Sequence, residues 1–309
     1  QKGGSTLGWK YLTTFVKRRA VNYNKFISKP EASRKSCSRL SPYLAYGNLS
    51  LKQIFQATED FKDNNRFINP LQNFQSRLWW RSHYIQKLET EYQIANRCIN
   101  IGFELQIRNG QETHELAFYE GATGFPMVDA SIVCLKKTGF INFRMRAMLA
   151  TFFCFSLWLD WRKLATFLSK VFLDYEPGIH FPQLQMHAGT TGYHTLRIYN
   201  PTAQSIKHDP DGYFVKKWIP KLKNVPTPLI YEPWKMTAIE EGFYRCKIGR
   251  DYPYPIINFD EATRKHKHIY WQFRNTKQVL NNLPKVWEKH CLPENITYYK
   301  KLMSKKIEI

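Results

Sequence analysis

Apolar residues recur at helical spacing through Leu71 to Asn96, Val128 to Lys137, Phe140 to Leu159 and Arg162 to Leu173, and no set of alternating segments is available to build a sheet. The pattern predicts an all-α fold. Trp9, Leu12, Phe15 and Val16 extend it to the start, before the basic Lys17-Arg18-Arg19 and a loop from Pro30 to Ser36. Ser41-Pro42 opens a short helix, Tyr43 to Tyr46, that breaks at Gly47, and Ser50 caps another carrying Leu51, Ile54 and Phe55. From Asp174 to Pro201 the chain reads as irregular, punctuated by Gly178, Pro182, Gly189 and Gly192. So long a loop is usually functional, which makes it the expected ligand site.

Length and charge narrow the class. A chain of 309 residues buries a core without metal or disulfide staples. Lys and Arg number 46 against 25 Asp and Glu, and a net charge of +21 attracts polyanions, nucleic acid before an anionic membrane. Arg264 to Ile309 holds 11 Lys/Arg against 3 Asp/Glu, so the expected organisation is a helical domain over 1–263 and a basic, mostly helical extension over 264–309. Cys37, Cys98, Cys134, Cys154, Cys246 and Cys291 are scattered without a C-x-x-C pair, which argues for a reducing, intracellular setting, cytoplasmic or nucleoid-associated. The longest apolar run, Ala147 to Leu159, is too short for a membrane span. The first residue is Gln1 rather than methionine, which reads as a fragment. Neither G-x-G-x-x-G after a strand nor G-x-x-x-x-G-K-[ST] occurs. Any dinucleotide must be held otherwise. His180, His187 and His194 recur every seven residues without a cysteine or acidic partner at ligand spacing, so no metal site is expected.

Ser36 to Pro42 sets hydroxyls and free backbone N–H groups at a helix start, which serves either an anion or ordinary capping. Its continuation, Ser38-Arg39-Leu40-Ser41-Pro42-Tyr43-Leu44-Ala45-Tyr46-Gly47-Asn48-Leu49-Ser50, resembles the T-S-x-L-S-P-Y-L-x-x-G-x-L-S signature of the photolyase/cryptochrome family. Trp80-Arg81 follows, then Glu120 to Ala130, similar to E-G-x-T-G-x-P-x-V-D-A. Arg144-Met145-Arg146, Leu159-Asp160-Trp161-Arg162, Arg197 to Pro201, Asp209 to Gly212 and Glu232-Pro233-Trp234 carry the resemblance from about Trp9 to about Thr263. It implies the helical FAD-binding domain of that family, without the family's N-terminal α/β antenna domain, which is absent from this sequence.

The resemblance also implies roles. Tyr23 and Cys37, Ser38, Arg39, Leu40 and Ser41 would hold the FAD phosphates, Arg146 pairs with Asp174 at the isoalloxazine, Tyr175 and Glu176 line the cofactor, and Arg81 also counts among the cofactor-binding residues. His180 falls where the family faces flavin N5, and could tune flavin protonation. Trp80, Arg81, Tyr84 and Arg144 would form the wall toward a lesion in DNA. Several positions depart from the family. Arg77 replaces a lesion-contacting glutamate, Met186 a tryptophan, Asn142-Phe143-Arg144 the H-N-R element, and Cys37 a threonine. Of the tryptophan relay, Trp161 matches the middle member, whereas the inner position holds Leu184 and the outer falls near Ile107 and Arg108; Trp158 or Tyr199 offers a detour. The expected function is light-driven electron transfer from reduced FAD to a pyrimidine dimer in UV-damaged duplex or single-stranded DNA. The alternative is a blue-light receptor of cryptochrome type without repair.

Overall fold

The computed structural model describes residues 1–62, 68–291 and 295–297. Much of the basic extension, 292–294 and 298–309, lies outside the described residues. Among those described the architecture is all-α, and the one β contact is an isolated bridge between Ile248 and Tyr252.

Two apolar cores organise the helices. The first collects Leu12 of α1 (Ser5–Thr14), Phe15, Tyr23, Leu40, Tyr43 of α2 (Ser41–Ala45), Ile54 of α3 (Leu51–Lys62) and Leu71, Phe74 and Leu78 of α4 (Ile68–Thr90). The second, larger core is built by α5 (Glu112–Glu120), α6 (Pro126–Thr138), α7 (Phe143–Thr151), α8 (Trp161–Val171) and α9 (Pro177–Ala188), closed by α10 (Pro201–His208), α11 (Tyr213–Trp218) and α12 (Phe259–Arg274). A last helix, α13 (Leu283–His290), adds Val286 to a small cluster with Ile94 and Ile99. Helix α12 crosses the expected junction at 263/264 without a break.

Local chemistry sets the ends. Ser50 Oγ accepts from Gln53 N at 3.1 Å while Gln53 Oε1 accepts from Ser50 N at 2.8 Å, a reciprocal cap that starts α3 as expected. The stretch from Phe140 to Leu159 is not one helix: α7 ends at Thr151, a π-turn covers Phe152–Ser156, and Trp158 takes a left-handed φ of 56°. The largest correction concerns Asp174 to Pro201, where the expected loop contains the helix α9. Pro177 at its first turn and Gly189 at its left-handed cap are ordinary helix punctuation, and Pro182 forfeits only the bond to Gly178 O while α4, α7 and α8 pack around it.

The Glu120 to Ala130 motif is scaffolding. Asp129 is fully buried and its carboxylate accepts from Thr123 N (2.8 Å), Thr123 Oγ1 (2.6 Å), Gly124 N (3.1 Å) and Tyr252 OH (2.5 Å). A Cβ on Gly124 would meet Tyr254 O at 2.3 Å, so only glycine fits that turn. Asp129→Ala strands four buried donors; the expected loss is roughly 3 kcal/mol of unfolding free energy in urea, and a loss under about 1 kcal/mol would show that water replaces the carboxylate.

Candidate cofactor site

The site is assembled where the two cores meet. Residues 37–41 come from the first and Arg146, Asp174 and His180 from the second.

In the 37–41 segment, Arg39 adopts a left-handed φ of 60° and Leu40 a right-handed conformation, a backbone concavity of the kind that gathers N–H groups around an anion. The N–H groups of Ser38, Arg39, Leu40 and Ser41 find no acceptor among the described residues. Arg19, overlooked in the sequence, clamps the segment from behind: Nη1 donates to Cys37 O, and Nη2 to Tyr11 O at 2.6 Å and Ser38 O at 3.4 Å. Tyr23 is buried, edge-on to Phe15 and Phe74, and burial pushes its phenol up to about 12, with the nearby Cys37 adding to the effect and Arg77 opposing it. Arg77 therefore lies beside Tyr23. Burial likewise raises Cys37 to about 11, so it is a neutral thiol.

Arg146 Nη2 lies 2.9 Å from both Asp174 oxygens, Nε donates to Ile141 O at 2.9 Å, and the guanidinium sits 4.1 Å over Phe172. The Asp174 side chain is 4% exposed. Phe140 joins the halves: Arg39 stacks on its ring at 3.9 Å, Arg146 lies 5.5 Å away, and Arg39 feels the Asp174 charge. Arg81 Nη2 donates to Glu176 Oε2 at 2.6 Å, tying α4 to the start of α9. Tyr175 is half-buried, its ring 5.1 Å from His180.

His180 is a helix residue, buried, with Nε2 2.9 Å from Ala165 O. A carbonyl only accepts, so Nε2 carries the proton and Nδ1 is left as an acceptor. Desolvation, then the Arg146 cation, depress the imidazole to about 4, against the opposing pull of the Ala165 bond and Asp174. A neutral ring committed in this way has no proton to give at neutral pH.

The expected lesion wall divides between two helices. On α4, Trp80 is half exposed and leans on Tyr84 (5.9 Å, 30°) and His83 (5.6 Å). On α7, Arg144 covers Tyr199 at 5.1 Å and exposed Phe143 lies 6.0 Å from His187 of α9. Met186 is half-buried and Leu184 buried in α9; Trp161 is buried at the first position of α8. Phe172 and Arg19 carried no sequence signal beyond being apolar or basic, and Phe140 appears only in the Thr138-Gly139-Phe140 segment of the resemblance, with no role attached.

The donor set fits the phosphates and ring of FAD: four unpaired backbone N–H groups, an ion pair beside them, and aromatic faces. Comparison with known proteins points the same way. The profile of the FAD binding domain of DNA photolyase matches residues 74–272. A deoxyribodipyrimidine photo-lyase of Alkalihalophilus pseudofirmus is 30% identical over 258 residues, 83% of this chain and 53% of its own length. A cryptochrome DASH of Synechocystis is 30% identical over 75% of this chain and 48% of its own. The crystal structure of a class III photolyase from Agrobacterium tumefaciens superposes with a TM-score of 0.83 at 25% identity, over 88% of this chain and 56% of that one. The chain spans about half the length of the curated relatives it matches.

Two measurements test the geometry. Arg39→Gly should be more stable than Arg39→Ala by about 1 kcal/mol in thermal unfolding, since glycine alone takes a left-handed φ freely; equal stability would mean the segment relaxes. Because the folded His180 lies below its unfolded value, its contribution is present above about pH 6.5 and is lost as pH falls toward about 4. His180→Asn should flatten the loss of urea stability over that window, and an unchanged slope would assign it to the other buried histidines.

Proposed function

This chain belongs to the photolyase/cryptochrome family and carries its FAD-binding domain, and from that premise we propose that it is a photolyase-type flavoenzyme acting on pyrimidine dimers in DNA. FAD, when bound, supplies light-driven electron transfer to the lesion and receives the electron back after bond cleavage. The observation that carries the reading is the meeting at Phe140 of Arg39, from the 38–41 segment, with the Arg146–Asp174 pair, while α4, the helix that exposes Trp80, packs Phe74 against Tyr23.

In this reading the chain's own residues bind and orient. Ser38 to Ser41 donate to the pyrophosphate, and Arg19 holds that segment by its carbonyls. Arg146, offset by Asp174, presents one compensated charge to the ring, and His180 offers Nδ1 only as an acceptor. Trp80 stacks on an extruded base while Arg81 is kept in place by Glu176. The surplus of 21 positive charges favours contact with the DNA backbone.

A receptor without repair is the second reading. It is favoured by Arg77, whose guanidinium lies by Tyr23 where a lesion-contacting carboxylate is expected, and by the aliphatic Leu184.

Blue-light irradiation of dimer-containing oligonucleotides with FAD-loaded, chemically reduced protein separates the two. Light-dependent lesion loss is expected, and FAD-replete protein that leaves the lesion intact would move the assignment to the receptor. Trp80→Ala should weaken dark binding of the damaged oligonucleotide by about tenfold or more, the loss of one base–aromatic stack. Unchanged affinity would remove Trp80 from the wall.

A further inference from the structure

Away from the cofactor region, the end of α4 and α13 enclose a cavity of about 180 Å³ lined by His83, Lys87, Thr90, Glu91, Lys289 and His290 among others. Its charges do not balance. Glu91 is the one carboxylate among the described lining residues, and it is occupied by Lys289 at 3.2 Å. Lys87 has no carboxylate partner among the described residues: its Nζ donates to Tyr193 OH at 3.4 Å and lies 5.9 Å from the Tyr84 ring. The His290 side chain is 2% exposed, and its Nε2 is 3.0 Å from Glu91 Oε2 but outside hydrogen-bond geometry. Among the described residues His290 Nε2 and Glu91 Oε2 thus have only this misaligned contact with each other, and His290 Nδ1 has no hydrogen-bond partner.

Buried polar groups in folded proteins are met by protein, water or a bound species. The unmet groups here are a half-buried cation, an imidazole N–H and a carboxylate oxygen that can only accept. One occupant meets these three groups if it is negative, carries several acceptor oxygens and keeps one proton to donate. We propose that the cavity is a binding site for inorganic phosphate, whose oxygens accept from Lys87, Lys289 and His290 while its P–OH donates to Glu91 Oε2. Sulfate has no such proton at neutral pH, and a phosphate monoester loses its last one above about pH 6. The bound ion would fasten α13 to α4, the helix that presents Trp80 and Arg81.

Titration calorimetry of the full chain at about pH 7.5, with inorganic phosphate, sulfate and methyl phosphate, tests the site independently of FAD or DNA. Phosphate is expected to bind at least about tenfold tighter than either competitor, one strong hydrogen bond being worth about that ratio. Lys87→Met should weaken phosphate by a similar factor and abolish the phosphate-induced rise in Tm; if that variant does not fold, Lys87→Gln is measured in its place. Glu91→Gln should narrow the preference over sulfate, because an amide donates where the carboxylate only accepts. Absent phosphate binding, equal binding of sulfate, or a Lys87 variant with unchanged affinity would overturn the proposal.

Discussion

The arrangement depends on a single close approach, that of α9 to α4. A Cβ on Gly178 would lie 2.6 Å from the Ile85 Cα, so the two helices meet backbone to backbone and only glycine permits it. One turn away the Arg81–Glu176 pair fixes the register, and α9 packs in addition on α7 and α8. Helix α9 is therefore the hub. Its lead-in residue Asp174 meets Arg146, its first turn meets α4, and its last turn meets Phe143. A side chain at 178 would push α9 outward and disturb the cofactor ion pair and the Trp80 helix together.

The second constraint is electrostatic. Arg34, Arg39 and Arg146 gather around Phe140, and Asp174 is the carboxylate among them. Burying guanidinium groups with so little compensation is costly unless an anion completes the site. Stacking on Phe140 and Phe172 and donation to the Phe140 and Ile141 carbonyls offset part of that cost. The FAD pyrophosphate would supply the rest, which gives the unpaired N–H groups of 38–41 and the neighbouring positive charge one common explanation.

What could be read in advance follows from the range over which each interaction acts. The all-α class and most helices were legible because a 3.6-residue period is local. The Asp and Asn residues of the motifs were legible as spacing, and the structure gives them a physical reason: Asp160, Asn200 and Asp209 accept from first-turn N–H groups, as Asp129 does across its turn. Helix α9 was hidden because Pro177, Gly178, Pro182 and Gly189 are local breakers, overruled by packing against three helices. Arg19, Phe172 and the role of Phe140 were invisible for a related reason. Phe140 meets Arg39 across a hundred residues, and no pattern along the chain encodes that contact.

The same charge logic bears on which aromatic residue can give up an electron. A guanidinium over a ring disfavours its oxidised cation unless a carboxylate offsets the charge. Arg108 lies 4.9 Å over Trp158 and its bonds go to Gln106, Cys154 O and Ala188 O, none of them charged. Arg144 over Tyr199 likewise has no carboxylate partner among the described residues. Arg162 lies at the same 4.9 Å over Trp161, but it is held by Glu104 at 2.7 Å and Asp160 at 3.1 Å, so the field at that ring largely cancels. Both detours are therefore electrostatically worse than Trp161, the position that matches the family's middle relay tryptophan. Trp161 is thus energetically suited to donate, whereas the position matching the family's inner relay tryptophan holds the buried, aliphatic Leu184. In the proposed photoenzyme, photoreduction through Trp161 should therefore be slow rather than absent, and reduced flavin would have to come from other electron donors.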